Sequence, residues 1–80
     1  MSVYVDQPDK PYGRMLMCHM IADTPLELRH MAETIGVKIR HIQHAGTRRE
    51  HFDICKAKRE LAIAAGAVAV SNRELVRRMK

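Results

Sequence analysis

The sequence predicts a small α/β sandwich, and three observations lead there. Two segments, "DTPLELRHMAETIG" and "SNRELVRRMK", each open on a helix capping box and carry apolar residues at helical spacing. Short apolar runs suited to strands precede them, "MLMCHMIA" and "AVAV". Eighty residues leave room for one domain, 1–80, with no linker, repeat or low-complexity stretch. Strands separated by helices of about ten residues imply right-handed crossovers. The architecture expected is a Rossmann-like, mostly parallel sheet in the order β-β-α-β-α-β-α, with the direction of the first strand left open.

Val3, Tyr4 and Val5 suit a strand that stops at Asp6. The next stretch, "QPDKPYG", reads as a loop through Pro8, Pro11 and Gly13. Met15 to Ala22 is apolar on both alternating faces except at His19, as in a strand covered on both sides, with a short buried helix segment as the alternative. Thr24 then caps a helix, with Pro25 at its first position and Glu27 completing the box. Leu28, Met31, Ala32 and Ile35 form the buried stripe, and Gly36 ends it.

"VKIRHIQ" alternates enough for a strand near an edge, and "HAGTRRE" is a basic loop. A second helix is expected after Asp53, burying Ile54, Ala57, Leu61 and Ala65 and closing at Gly66. Ala67 to Val70 is short and apolar, as an inner strand would be. The last helix, capped by Ser71 and Glu74, buries Leu75, Val76 and Met79. It shows Arg73, Arg77, Arg78 and Lys80 to solvent.

Composition narrows the function classes. The net charge of +5, from fourteen Lys and Arg against nine acids, favours phosphate-bearing partners. Only three aromatics weigh against base-stacking recognition of single strands, which relies on aromatic platforms. Cys18 and Cys55 form no Cys-x-x-Cys pair, which excludes a zinc knuckle and suits free thiols in a cytoplasmic setting. The first ten residues lack the blocks of a secretion signal, and no apolar run is long enough for a membrane span. There is no phosphate loop, dinucleotide fingerprint, nucleophilic triad or zincin motif.

In an open parallel sheet, strand ends and helix starts share the carboxyl edge, where such folds bind ligands. Asp6, Asp23, Gln43 or His44, and Ser71 follow the predicted strands, and His51 and Asp53 precede the second helix. Helix N-termini at that edge favour anions. Capping accounts for Asp23, Thr24, Asp53 and Ser71 equally well, and a hydrogen-bonded core histidine accounts for His19. His30 and His41 read as surface residues. Lys56 and Arg59 share a helix face, with Lys58 pointing elsewhere.

Three stretches, "VYVD", "HMIADTPLELRHMAETIG" and "HFDICKAKRELAIAAGAVAVSNREL", carry a resemblance over nearly the whole chain. The chain resembles the small bacterial and phage proteins grouped as the domain of unknown function four-zero-three-one. Its motifs fall on Val3 to Asp6, His19, Ala22-Asp23-Thr24, His51-Phe52-Asp53 and Lys58-Arg59. Relatives often have Tyr at the position of Phe52 and a leucine-serine pair before the Lys-Arg. The resemblance brings no activity, but it implies that Asp6, His19, His51 and Asp53 belong together.

Three functions follow as expectations. The first is binding of a nucleotide or nucleic acid at the carboxyl edge, with Arg48, Arg49, Lys56, Lys58, Arg59, Ser71 and Arg73 contacting phosphate. The second is a metal-dependent phosphoesterase or nuclease-like hydrolase. There Asp6, His19, His51 and Asp53 would hold Mn²⁺ or Zn²⁺, and Asp6, His51 and Asp53 are the catalytic candidates. Lys58 or Arg59 would stabilise the developing charge. The third is a phage accessory protein acting through a protein partner or as a homodimer, with no membrane involved.

Overall fold

Val3–Val5 forms strand β1, where Val3 and Val5 turn inward and Tyr4 outward. A computed structural model describes residues 2–79 of the chain; Met1 and Lys80, the latter expected to face solvent, lie outside them. The other strands are β2 (Lys10–Tyr12), β3 (Met15–Ala22), β4 (Phe52–Cys55) and β5 (Val68–Ala69). The helices are α1 (Pro25–Ile35), α2 (Lys56–Ala64) and α3 (Asn72–Arg78). This is a small mixed α/β domain with a five-stranded sheet.

The sheet is not mostly parallel, which corrects the Rossmann-like expectation. Met17 pairs with both Lys10 and Cys55, and Met20 with both Val5 and Phe52. A strand has two edges, so β1 and β2 share one edge of β3 and β4 takes the other. All three pairings to β3 are antiparallel; β5 alone runs parallel, beside β1. Two turns of the chain cause this. Gly13 at φ 62 makes a two-residue hairpin turn with Arg14, so "KPY" returns as a strand rather than a loop. After α1 no crossover strand forms, because "VKIRHIQ" becomes a 3₁₀ turn at Ile39–His41 instead of a strand.

α1 forms as its sequence dictates. The Thr24 hydroxyl accepts from the Glu27 N–H at 3.2 Å and donates to Glu27 Oε1 at 2.9 Å. Gly36, at φ 81, supplies the left-handed cap, and Leu28, Met31, Ala32 and Ile35 are all buried. α3 is likewise capped by Ser71, whose Oγ accepts from the Glu74 N–H at 3.1 Å. Of its expected inward residues Leu75 is buried, whereas Val76 is exposed.

The second helix starts later than expected. Phe52 and Ile54 are buried while Asp53 is exposed, so "FDIC" is a strand with period two, and Asp53 is not a cap. α2 therefore turns Lys58, Arg59 and Ala62 inward instead of Ala57, Leu61 and Ala65, and Leu61 is 52% exposed. The two cations bury their stems and ground their charged ends on backbone carbonyls. Lys58 Nζ donates to Ile35 O at 2.8 Å and Arg59 Nε to Asp6 O at 2.7 Å. β5, expected as an inner strand, is a two-residue exposed edge.

α1 and α2 cover one face of the sheet, sealing Cys18, Met20, Phe52 and Ile54 beneath Leu28, Ile35 and Ala62. Met17, His19, Asp53 and Cys55 alternate with those residues and so point to the other face. α3 covers part of that outer face, where the Arg78 guanidinium lies 4.1 Å from the centroid of the Tyr4 ring. No helix among the described residues is long and apolar enough to cross a membrane.

Candidate functional site

On the uncovered part of the outer face, His19 of β3 and Asp53 of β4 are direct cross-strand partners. Antiparallel pairing places such side chains side by side. His51, one residue before β4, joins them because its backbone bonds to Gln43 in both directions, at 2.9 and 3.1 Å. Asp53 Oδ1 lies 3.7 Å from His19 Nε2 and 3.5 Å from His51 Nε2. One ligand atom from each of the three residues lies within 4.8 Å of the others.

Asp6 anchors this cluster from below. It ends β1, and four residues, Asp6 to Asp9, face only Cys18 and His19 before pairing resumes at Lys10. Its carboxylate takes a place in the interrupted ladder: Oδ1 accepts from the His19 N–H at 2.7 Å, while its own N–H donates to His19 O at 3.2 Å. Oδ2 accepts from His19 Nδ1 at 2.9 Å and pairs with Lys10 Nζ at 3.1 Å. A fully buried carboxylate is tolerated here because each oxygen has a donor and a cation stands beside it. Partial burial works against the Lys10 ammonium, but its hydrogen bonds to Asp9 and Asp6 outweigh this and raise its pKa. Asp9 titrates below its usual range, held by hydrogen bonds first from Asn72 and then from Lys10.

These contacts decide the tautomers. A carboxylate and a carbonyl only accept, so His19 Nδ1 carries a hydrogen toward Asp6. His51 Nδ1, 2.6 Å from Arg49 O, carries one likewise. In the neutral rings both Nε2 atoms are therefore bare, and both lie within 3.7 Å of Asp53 Oδ1. The other oxygen of Asp53 is held by Gln43 Nε2 at 2.6 Å. Three acceptors face one another, and each is oriented from behind by a separate partner.

The loop between Gln43 and His51 is braced by Glu50. Its carboxylate receives Arg29 at 2.9 and 3.3 Å and the Gly46 N–H at 2.7 Å. Burial opposes the charge, yet these bonds hold its pKa below 4.5. His44, at φ 54, lies against His51 with ring centroids 5.7 Å apart.

Two clefts meet at His19. One, of about 490 Å³, is walled by Lys10, Tyr12, Met17, His41 and Gln43, with Asp53 and His19 in its floor. The other, of about 260 Å³, runs past His44, Arg49 and His51 to Val76 and Met79.

The four residues expected to belong together do so, although not at a carboxyl edge of a parallel sheet. Asp23 sits at the opposite end, accepting from the Ser2 N–H at 2.7 Å and from the Tyr4 hydroxyl at 3.3 Å. Asp6 lies behind His19 rather than in the ring of three. Of the candidate phosphate contacts, Arg49 alone borders the cluster. Arg48 lines a separate cleft with Asp23, Lys58 and Arg59 are tied to backbone carbonyls, and Ser71 is a cap. Lys56 and Arg73 are exposed away from these clefts. Tyr12 was not singled out from the sequence, His41 was read as a surface residue, and Gln43 was placed at the edge only as an alternative to His44. A period-two reading of "HFDIC" would have placed Asp53 on a strand, and the glycine turn would have placed Tyr12 on a hairpin beside it.

The fold and the cluster define a small mixed α/β domain with a His–His–Asp group on the open face of its sheet. The chain belongs to the family described as "Protein of unknown function (DUF4031)", whose model matches residues 3–80. No curated protein and no solved structure gave a significant match.

Proposed function

We propose that this domain is a divalent-metal-dependent phosphoesterase, with His19, His51 and Asp53 as the protein ligands. One observation carries the reading: with both rings neutral, three acceptor atoms converge with no hydrogen-bond donor among them. Their separations of 3.5 and 3.7 Å exceed an ordinary N–H···O bond, so a shared proton fits the gap poorly. A tetrahedral ion with bonds of about 2.0–2.1 Å sets its ligands about 3.3–3.4 Å apart, close to the two nitrogen-to-oxygen separations, while the three atoms together lie within 4.8 Å of one another. Imidazoles that bind metals nearly always donate their second N–H to a carboxylate or carbonyl, and both rings do so here.

Two nitrogens and one oxygen suit Zn²⁺ or Mn²⁺, and also Fe²⁺. Such an ion would lower the pKa of a water in its open position, facing the larger cleft. The net charge of +5 favours an anionic ester as substrate. Hydrolysis joins the water oxygen to phosphorus and breaks one bridging P–O bond. The proton passes to the departing oxygen, so the products are a phosphate with one ester fewer and an alcohol.

The test is calorimetric titration with Zn²⁺, Mn²⁺ and Fe²⁺, followed by assay of bis(p-nitrophenyl) phosphate with the ions that bind. One ion per chain, lost in His19→Ala and His51→Ala, together with turnover abolished by a chelator, supports the reading. No binding of any of the three ions overturns it.

A further inference from the structure

The cluster lies where two clefts join, and this constrains what could be bound there. We propose that the substrate is a single-stranded oligonucleotide laid across the cluster, with one base on Tyr12 and the neighbouring phosphate on Arg49. The inference rests on the phosphoesterase reading and deepens it.

His19 lines both clefts, so a ligand reaching its Nε2 has room on either side. A mononucleotide needs only one such space. A chain cut between two nucleotides needs both. The larger cleft, about 490 Å³, can take a nucleoside; the smaller, about 260 Å³, offers the guanidinium of Arg49. Arg49 is exposed and forms no salt bridge among the described residues, so its charge is free to meet a phosphate.

The aromatics decide the register. Phe52 is fully buried and Tyr4 is covered by Arg78, which leaves Tyr12, 69% exposed on the hairpin wall of the larger cleft. Met17 lies in the same wall, giving the base an apolar neighbour. One free ring supports one stacked base and no longer a platform. A duplex keeps its bases stacked internally, so it could not offer one to Tyr12; a single strand can.

The test uses the full chain loaded with the ion that calorimetry selects. Cleavage of short single-stranded RNA and DNA is compared with the matching duplexes and with bis(p-nitrophenyl) phosphate. A single strand should be the best substrate by kcat/KM, and the two arms show which sugar is accepted. Tyr12→Ala should raise KM for the oligonucleotide about 5- to 160-fold, the range expected for one lost base–aromatic stack. Arg49→Ala should reduce the slope of log KM against log salt by about 0.7, the value of one phosphate contact on a single strand. Tyr12 is exposed, and unchanged melting of its variant would show that the fold is kept. Turnover of the small diester with no preference for single strands, or an unchanged KM in Tyr12→Ala, overturns this inference and leaves the phosphoesterase standing. Failure to bind metal overturns both.

Discussion

Asp6 Oδ2 lies 2.9 Å from His19 Nδ1, so a carboxylate with 1% of its side chain exposed sets the tautomer of a ring whose other nitrogen opens onto a cleft. The contact reaches from the end of one strand to the middle of its neighbour. It links the interior to the site.

Asp6→Asn removes the negative charge and offers His19 an amide in place of a pure acceptor. Calorimetry should show metal affinity reduced about 10- to 100-fold, the usual effect of losing such a partner. The urea midpoint should fall by an amount equivalent to about 1–3 kcal/mol, since one of the two accepting oxygens becomes a donor and Lys10 loses the charge beside it. Unchanged affinity would mean that Asp6 does not orient the ring.

Gln43→Ala leaves Asp53 Oδ2 without its 2.6 Å donor. Metal affinity should drop about tenfold, toward the lower end for an outer partner. Gln43 is exposed, so stability should stay within about 0.5 kcal/mol of the parent. Equal losses in affinity and stability would instead indicate a collapsed loop.

Glu50 titrates below 4.5 in the folded chain. A depressed carboxyl pKa means that the folded state binds protons less readily than the unfolded one. The stabilisation is complete above the unfolded value of 4.5 and vanishes as pH falls through the lower folded value. Glu50→Gln should cost about 1–3 kcal/mol near neutrality, because the Arg29 guanidinium and Gly46 N–H lose a charged acceptor. Its melting temperature should also decline less steeply than the parent's in acid. Parallel acid limbs would remove Glu50 as the cause.

Burial, with Asp6 nearby, pushes the Cys18 thiol up to about 12, whereas Cys55 is only half-buried. A thiol reagent at mildly alkaline pH should modify Cys55 in the folded protein and reach Cys18 only on unfolding. Mass spectrometry of the labelled peptides checks this. Rapid native labelling of Cys18 would contradict the burial of β3.

Local signals were legible where a single segment carries its own chemistry. The Thr24 box, the Leu28–Ile35 stripe and the Gly36 cap specify α1 from neighbours within a few residues, and the Ser71 box does the same for α3. "MLMCHMIA" read as a strand covered on both sides, with a short buried helix as the alternative; it is a strand, covered by α1 and α2 on one face and only in part on the other. "HFDIC" was harder, since it flows into "KAKRELAIA" without a glycine or proline to mark the change. Only the pairing of Phe52 with Met20 and of Asp53 with His19 separates strand from helix there. The family resemblance implied the grouping of Asp6, His19, His51 and Asp53, and the premise of a parallel sheet gathered Asp6, His51 and Asp53; antiparallel cross-strand contact is what sets His19 against Asp53.

Taken alone, the sequence determined the caps of α1 and α3, the amphipathic stripe of α1, the strand nature of β1 and β3, and the basic surplus. These depend on residues close in the chain, whose interactions need no distant partner. Tertiary structure decided strand direction, the role of "VKIRHIQ", the inward face of α2 and which imidazole nitrogens stay bare. Each depends on contacts between residues far apart in sequence. Cross-strand register alone sets His19 against Asp53, and the alternation of side chains turns both to the same face of the sheet.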